Sequence, residues 1–452
     1  QGVTNAFQYT LDNGLISHVV VTDGRNNQTT YDIEPDTNVP PGTIAPVTYT
    51  ITDPADNTST IDFDANGQKT SEVDPLGLQI DYGYDRKGNL TSRTLRGGGQ
   101  VISTTAQYDQ TFCKPTLIVD ANGNQTTYSI NAVTGNVDSV TLPTQRTRKY
   151  QYSPQGDLTQ VTDERGLVTS LGSFDSYGNP QAIIRDTGSE IVTISRTYDT
   201  RSRLLSSQDT LGPTVTTVYD ALDRLASSDQ VDPAGFRDEM VATYTYLPGG
   251  QVASFSQTGN GQSYSVNNTY DGLDRLATSA ENIGTGSFTL SYTFDGNSNL
   301  TSRTDRRGVL TTYTYNSLNF ETAATVTGGF GQSEATSISP DAVGNPTSTT
   351  DIYGKTIAFG YDGLHRLISR TYALSANNVE NMTLEGSGNV LTFSDRNGRV
   401  TTMTYDSLNR PATVKDPANR TATFTYDDST GTVTIQKLPQ NVTIIRQLDT
   451  LK

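Results

Sequence analysis

The sequence predicts an all-β protein, a long antiparallel hairpin meander coiled into a β-solenoid tube or shell. Three observations carry that prediction. A short aromatic–acid phrase recurs along the chain. One position inside the phrase takes only residues that tolerate a left-handed backbone. The side chains between phrases alternate with a period of two.

The phrase is clearest at Tyr84-Asp85-Arg86-Lys87-Gly88-Asn89-Leu90. It returns at Tyr219-Asp220-Ala221-Leu222-Asp223-Arg224-Leu225, Tyr270-Asp271-Gly272-Leu273-Asp274-Arg275-Leu276 and Tyr361-Asp362-Gly363-Leu364-His365-Arg366-Leu367. Weaker copies start at Phe63, Tyr108, Tyr152, Phe174, Tyr198, Phe294, Tyr315, Tyr405 and Tyr426, and Pro340-Asp341 is a copy without its aromatic. Internal repetition of this kind fixes architecture before any other signal. An Asp that opens a tight turn can accept a hydrogen bond from the backbone two residues on. The fourth turn position holds Gly88, Asp223, Asp274, Asn319, Asn409 and His365. Those residue types suit a type I turn followed by a left-handed residue, a common hairpin loop.

A second turn falls about halfway between phrases. It reads Asp74-Pro75-Leu76-Gly77, Asp120-Ala121-Asn122-Gly123, Asp163-Glu164-Arg165-Gly166, Asp305-Arg306-Arg307-Gly308, Asp351-Ile352-Tyr353-Gly354 and Asp395-Arg396-Asn397-Gly398. From Phe63 to Tyr84, from Phe294 to Tyr315 and from Tyr405 to Tyr426 the unit is the same length, with room for two strands of ordinary size. Within strands, Leu78, Ile80, Tyr82 and Tyr84 share one face, and Gln79, Asp81 and Gly83 share the other. No long helical period is present. About fifteen copies at two strands each imply roughly thirty strands, more than an open twisted sheet carries without curling. Coiling would shield the Tyr and aliphatic stripe and leave Thr and Ser in water, each well-buried Tyr contributing about 2 kcal/mol.

Composition agrees. Of 452 residues, 33% are hydrophobic and the mean hydropathy is −0.50, too low for one thick core but suited to a sheet with a wet face. The net charge of −16 excludes a general electrostatic footprint for nucleic acid. Cys113 is the sole cysteine, so no internal disulfide forms. No apolar run is long enough for a transmembrane helix. The chain starts at Gln1 without Met, and a processed chain or a segment of a longer one is expected.

Residues 1–62 read as degenerate repeats with a Pro-rich loop between Glu34 and Pro46. Residues 63–452 read as one continuous repeat array with no clear boundary. Gly97-Gly98-Gly99, Leu142 to Arg148 and Asp232-Pro233-Ala234-Gly235 are expected to be longer hairpin loops. Gly328 to Gly331 and Ser375 to Asn378 are expected loop tips. The tail from Thr432 reads as strand through Val433, Ile435, Ile444 and Ile445. The ends lack obvious caps, so their edges are expected to seek further repeats of a longer chain or another copy.

The phrase, its spacing and the intervening Asp-x-x-Gly turns together resemble the RHS, or YD-repeat, family over roughly Phe63 to Thr432. The resemblance implies part of a large secreted or surface protein whose repeats form a spiralling β-sheet, as in the shells of RHS toxins, toxin complexes and teneurins. Toxin-cage members end in a self-cleavage signature. Asp74-Pro75-Leu76-Gly77 and Asp232-Pro233-Ala234-Gly235 match its first half only, without the paired glycines that follow.

Candidate chemistry is sparse, and no catalytic, cofactor-binding or metal residue is expected. His365 occupies the turn position and His18 sits in an apolar strand as a packed or edge residue, leaving little for a Ser-His-Asp triad or a zinc site. Cys113 beside Lys114 could form a low-pKa thiol, but a buried small side chain is the expectation. A glycosidase needs two converging acids, whereas the conspicuous Asp residues here open turns. Asp120 to Asn124 and Asp295 to Asn299 imitate the start of a calcium loop, but its twelfth position is Asn131 or Arg306 instead of Glu. Gly259-Asn260-Gly261 lacks the third glycine of a dinucleotide loop, and Gly354-Lys355 lacks Walker spacing. Asn89-Leu90-Thr91 and Asn299-Leu300-Thr301 are glycosylation triplets that arise from the repeat. The reading that follows is a non-enzymatic extracellular or cell-surface structural protein, stacking end to end into a filament in its sharper form. The alternatives are an encapsulating shell segment of a larger RHS toxin, a carbohydrate-binding adhesin using exposed Tyr rows and, more remotely, a hydrolase.

Overall fold

The computed structural model describes residues 5–12, 14–36, 45, 47–210, 212–231, 240–259, 261–328, 333–373, 378–428, 430–437 and 442–447. These form one sheet of 39 strands, from β1 (Ala6–Asp12) to β39 (Val442–Gln447), with no helix among them. Each strand pairs antiparallel with the next in sequence, as in β7 (Gln79–Tyr84) with β8 (Leu90–Gly97). Among the described residues β1 pairs with β2 (Leu15–Thr22) alone and β39 with β38 (Thr432–Lys437) alone, so the sheet does not close into a barrel. The tail strands appear where Val433, Ile435, Ile444 and Ile445 predict them.

Phrase aromatics end strands. Phe63, Tyr84, Tyr108, Tyr152, Phe174, Tyr198, Tyr219, Tyr270, Phe294, Tyr315, Tyr361 and Tyr405 are each the last residue of one, and Pro340 ends another. All phrase turns therefore lie along one edge of the ribbon, and all intervening turns along the other. The strands outnumber the roughly thirty expected because several phrase turns carry no opening Asp. Leu247 and Glu385 open loops with the same backbone bonds as the Asp loops, and Asn131 opens one that is a residue longer.

Two loops are tighter than expected. Gly98 and Gly99, at φ 56° and 78°, alone join the strand ending at Gly97 to the one starting at Gln100. Only glycine adopts two successive left-handed residues at little cost, and such a two-residue turn matches the strand twist. The Leu142 loop closes by Arg146, and Thr147 is already in strand. Pro40 and Pro41 with most of the Pro-rich stretch, Asp232 to Gly235, Gly329 to Gly331, and Ser375 to Asn377 lie outside the described residues.

The sheet is a single layer. Its accessible surface is 26405 Å², against about 17,000 Å² for a compact monomer of this mass. Among the described residues the buried apolar side chains are only Ile183, Val192, Leu364 and Val433, and none is fully buried. The faces nevertheless differ. In the strand Leu310–Tyr315, Thr311, Tyr313 and Tyr315 are covered while Leu310, Thr312 and Thr314 are exposed. Val400–Tyr405 alternates likewise. The exposed face carries cross-strand hydroxyl pairs, including Thr269–Thr278 at 2.6 Å, Thr383–Thr392 at 2.7 Å and Thr404–Thr413 at 2.8 Å.

The ribbon coils until it meets itself. Side chains of residues 23–122 bond to turns between residues 295 and 409, at sequence separations from 263 to 294. The chain is thus long enough for more than one full turn of a spiral.

Candidate functional site

The turns carry most of the polar chemistry, and each is built from its own Asp. In the Tyr84 copy, the Asp85 N–H donates to Asn89 O at 3.0 Å and the Gly88 N–H to Asp85 O at 3.1 Å. Asp85 Oδ1 accepts the N–H groups of Lys87 and Asn89, and Oδ2 accepts Asn89 Nδ2 at 2.9 Å. The fourth residue is left-handed in the six copies where the sequence singles it out, with φ 86° at Gly88, 65° at Asp223, 61° at Asp274, 64° at Asn319, 60° at His365 and 60° at Asn409. Gly77, Gly123, Gly166, Gly308, Gly354 and Gly398 do the same on the opposite edge. The residue set in the sequence is thus a record of backbone conformation.

The fifth turn position holds a second device. In many turns it is Asn or Arg, and there either can cap the free carboxylate oxygen. Asn124 and Asn299 donate Nδ2 to Asp120 and Asp295. Arg224, Arg275, Arg366 and Arg410 donate Nε to Asp220, Asp271, Asp362 and Asp406 at 2.7–2.8 Å. The same guanidinium then reaches the next repeat. Arg203, Arg224, Arg275 and Arg410 lie 4.7, 4.4, 4.8 and 4.1 Å from the ring centres of Tyr219, Tyr246, Phe294 and Tyr426. Arg224, Arg275 and Arg366 also donate to the carbonyls of Leu247, Asp295 and Glu385 in the following turns. Sequence reasoning missed this role. The signal was available as the Arg that closes five copies of the phrase.

The aromatic hydroxyls lock the repeats in the reverse direction. Tyr84, Tyr152, Tyr315, Tyr361 and Tyr405 donate to the carbonyls of Lys69, Val137, Leu300, Pro346 and Val390, each 15 residues earlier. Burial pushes the phenols of Tyr152, Tyr315 and Tyr361 above the ordinary 10.0. The turn carboxyls move the other way. Hydrogen bonds from Arg203, Arg224 and Arg275 hold Asp199, Asp220 and Asp271 below the ordinary 3.8. At Asp362, burial pushes upward, and Arg366 with two backbone N–H groups overcomes it.

The seam between spiral turns is made of turn tips. Gly24 faces Gly296, Gly97 and Gly98 face Gly363, and Ala121 faces Gly386, so closely that a methyl group on any of these phrase glycines would strike backbone. Around these approaches, Asn297 Nδ2 donates to Asp23 at 2.6 Å and Arg25 Nη2 to the Asn316 carbonyl at 2.7 Å. Arg366 Nη2 donates to Gln100 at 2.8 Å, and Asn122 Nδ2 to Glu385 at 2.9 Å.

The residues weighed as chemical candidates fall into this scheme. His365 is the left-handed turn residue, and its Nδ1 lies 3.3 Å from Asp74 across the seam. His18 sits in β2, its Nδ1 2.6 Å from Asp32 directly opposite on the next strand. Cys113 departs from expectation, because it is exposed and left-handed at φ 56°. Its turn, closed by the Asp109 N–H to Lys114 O, is one residue longer than the Asp85 turn, as is the Asn131 turn, so the cysteine takes the outward left-handed place. Asp120 and Asp295 spend their oxygens on their own loops and the seam. Among the described residues no group of three or more His, Cys, Asp or Glu gathers as a metal cage. Gly259 ends a strand and Gln262 begins the next, and Gly354 is a turn residue.

The fold and these interlocked turns define a single-layer β-shell protein built of repeats. Residues 63–100, 294–330, 341–376 and 386–421 match the RHS Repeat family model. The crystal structure titled TcdB2-TccC3-TEV superposes with a TM-score of 0.61 at 13% identity, over 92% of this chain and 27% of that one. The Photorhabdus luminescens Tc holotoxin pore with a TccC3 variant gives 0.55 at 13% identity, over 98% and 26%. The chain therefore spans little more than a quarter of those proteins. No curated protein sequence matches it.

Proposed function

We propose that this chain is a non-enzymatic structural protein of the extracellular space or cell surface, and that its coiled repeats form the wall of a hollow β-shell. The seam carries this reading, because glycines, Arg clasps and Asn side chains are spent on holding one turn against the next. The conspicuous acids support it too, since among the described residues every carboxyl displaced from its ordinary value is displaced downward by hydrogen-bond or ion-pair partners. A catalytic acid needs the opposite shift. The free edges are proposed to meet further repeats, of a longer polypeptide or of another copy in an end-to-end filament. Electron microscopy of the purified chain tests this. Hollow particles, alone or stacked, are expected, and solid globules or unwound ribbons would overturn it.

A second reading is a wall segment of a larger toxin assembly. It is favoured by the likeness to the Tc holotoxin structure and by the fraction of that chain covered. A parent reading frame that continues the repeats into a non-repeat payload would support it, and repeats alone would count against it.

A further inference from the structure

The fourth residue of a phrase turn answers to its left-handed backbone, and in the early coil glycine serves there at Gly67, Gly88, Gly156 and Gly178. In the later coil, where phrase turns face the early one, the position follows a different order. From the Asn316 turn onward it reads Asn319, Gly344, His365, Gly388 and Asn409, so a side chain alternates with none.

The opposing edge accounts for the alternation. Its intervening turns come in the order Asp23, Asp53, Asp74, the Gly98-Gly99 hairpin and Asp120. Asn319 Oδ1 accepts Arg25 Nη1 at 3.4 Å, from the first of these turns. His365 Nδ1 lies 3.3 Å from Asp74 Oδ2, in the third. Asn409 Oδ1 accepts Asn122 Nδ2 at 3.1 Å, from the fifth. By the same order Gly344 falls opposite the Asp53 turn and Gly388 opposite the hairpin. The Asp53 turn has Ala55 where its neighbours have Arg25 and Asn122, and Asn57 already caps its carboxylate. The hairpin is two glycines.

The pairs also match in sense. Arg25 and Asn122 donate, and each meets an Asn oxygen. Asp74 accepts, and its own turn offers no side-chain cap, because its third and fifth residues are Leu76 and Leu78. Their N–H groups both go to Oδ1. Facing Oδ2 is an imidazole nitrogen, which donates in one tautomer.

We propose that Asn319, His365 and Asn409 form a register key, and that their side chains fix which turn of the later coil seats on which turn of the early one. Close glycine approach does not supply this choice, since Gly296, Gly363 and Gly386 meet backbone, which every turn presents. A slip of one repeat in either direction moves all three key residues off their partners. It sets His365 against the Asp53 turn or the hairpin. Specificity then comes from contacts that fail together in the wrong register.

Glycine substitution decides it, because glycine keeps the turn. In the triple variant Asn319→Gly, His365→Gly, Asn409→Gly the left-handed backbone is relieved, so on conformational grounds these turns should be steadier. Amide exchange at residues 76–78 and 122–124 should nevertheless rise about tenfold, with the Asp85 turn unchanged. Unchanged exchange at the seam would overturn the proposal. A cross-link reads the register directly. Ser387 N–H donates to Asn122 Oδ1 at 3.2 Å, so these turn tips touch. In a Cys113→Ser background, Ala121→Cys and Ser387→Cys should be joined within one molecule by a short bis-maleimide, and adding the three glycines should remove most of that product. No product before the glycines are added, or equal product after, would overturn it. His365→Asn is the conservative control, tolerating the left-handed backbone and keeping a donor toward Asp74. Its exchange at residues 76–78 should stay within about twofold of the parent. Exchange as fast as in His365→Gly alone would overturn the assignment.

Discussion

Arg410 and Tyr426 belong to successive repeats, and the guanidinium carbon of one lies 4.1 Å from the ring centre of the other. The same Arg donates Nε to Asp406 at 2.8 Å and Nη1 to Asp428 at 2.5 Å. One side chain thus ties its own turn, the next turn and the next aromatic. A sheet with so little buried core depends on such nearest-neighbour ties, as repeat arrays do.

Arg410→Lys tests the clasp. Lysine keeps the charge but loses the planar fork that serves two carboxylates and a ring together. The expected cost is about 1 kcal/mol, from a partly exposed cation–π contact and weakened ion pairs. Hydrogen exchange in residues 411–427 should accelerate about fivefold. Exchange spread evenly over the whole chain would show that the repeats do not couple locally.

Gly363→Val tests the seam. Its Cβ would meet the Gly97–Gly98 backbone, which a flexible neighbour cannot relieve. Overpacking of that kind costs about 1–3 kcal/mol. The strands need not be lost, because their ladders do not pass through this contact. The expected result is an unchanged far-ultraviolet dichroism spectrum with faster exchange at residues 97–100 and 362–366. A tight seam in the variant would mean that the turns are held by something other than close glycine approach.

The local fold was legible in the sequence because the turn uses one residue type per backbone conformation. Gly88, Asp223, Asn319 and His365 share nothing chemical, yet all are left-handed. The strand count was less legible. Leu247 has no side-chain acceptor to announce a turn, and the backbone closes the loop regardless. The seam was hidden for a different reason. Gly363 and Gly272 both sit in a Tyr-Asp-Gly-Leu run, and the return of the chain after a full spiral turn separates a filled contact from an open one. Cys113 was misjudged because one inserted residue in the Asp109 turn moved it outward.

Tyr315→Phe tests the hydroxyl ladder. The Tyr315 phenol donates to Leu300 O at 2.9 Å, and removing it leaves that carbonyl one bond short. About 1 kcal/mol should be lost locally, within the usual range for a neutral hydrogen bond. The phenol sits above 10.0 because burial opposes its anion. As pH rises past 10.0 the unfolded chain ionises first, so this contribution is lost as pH climbs through the folded value. An ultraviolet titration should show a tyrosine class ionising late, reduced by one in Tyr315→Phe. Uniform titration of all tyrosines at the ordinary value would refute the buried ladder.

Acid should loosen the shell at its turns. Arg203, Arg224 and Arg275 hold the Asp199, Asp220 and Asp271 carboxyls below the ordinary 3.8. As pH falls toward 3.8, the unfolded chain takes up protons before the folded chain does. The stability these turns supply is therefore complete above 3.8 and is lost as pH falls through their lower folded values. Protonation removes the acceptor of each Arg clasp, and the backbone N–H groups on Oδ1 lose a charged partner. Thermal unfolding followed by dichroism at about pH 6 and about pH 3 should show a lower transition in acid. Replacing the three aspartates with Asn keeps a neutral acceptor, and the triple variant should lose the part of that pH difference these three supply while starting from lower stability at the higher pH. A parent chain equally stable at both pH values would show that the turn carboxylates do not hold the repeats together.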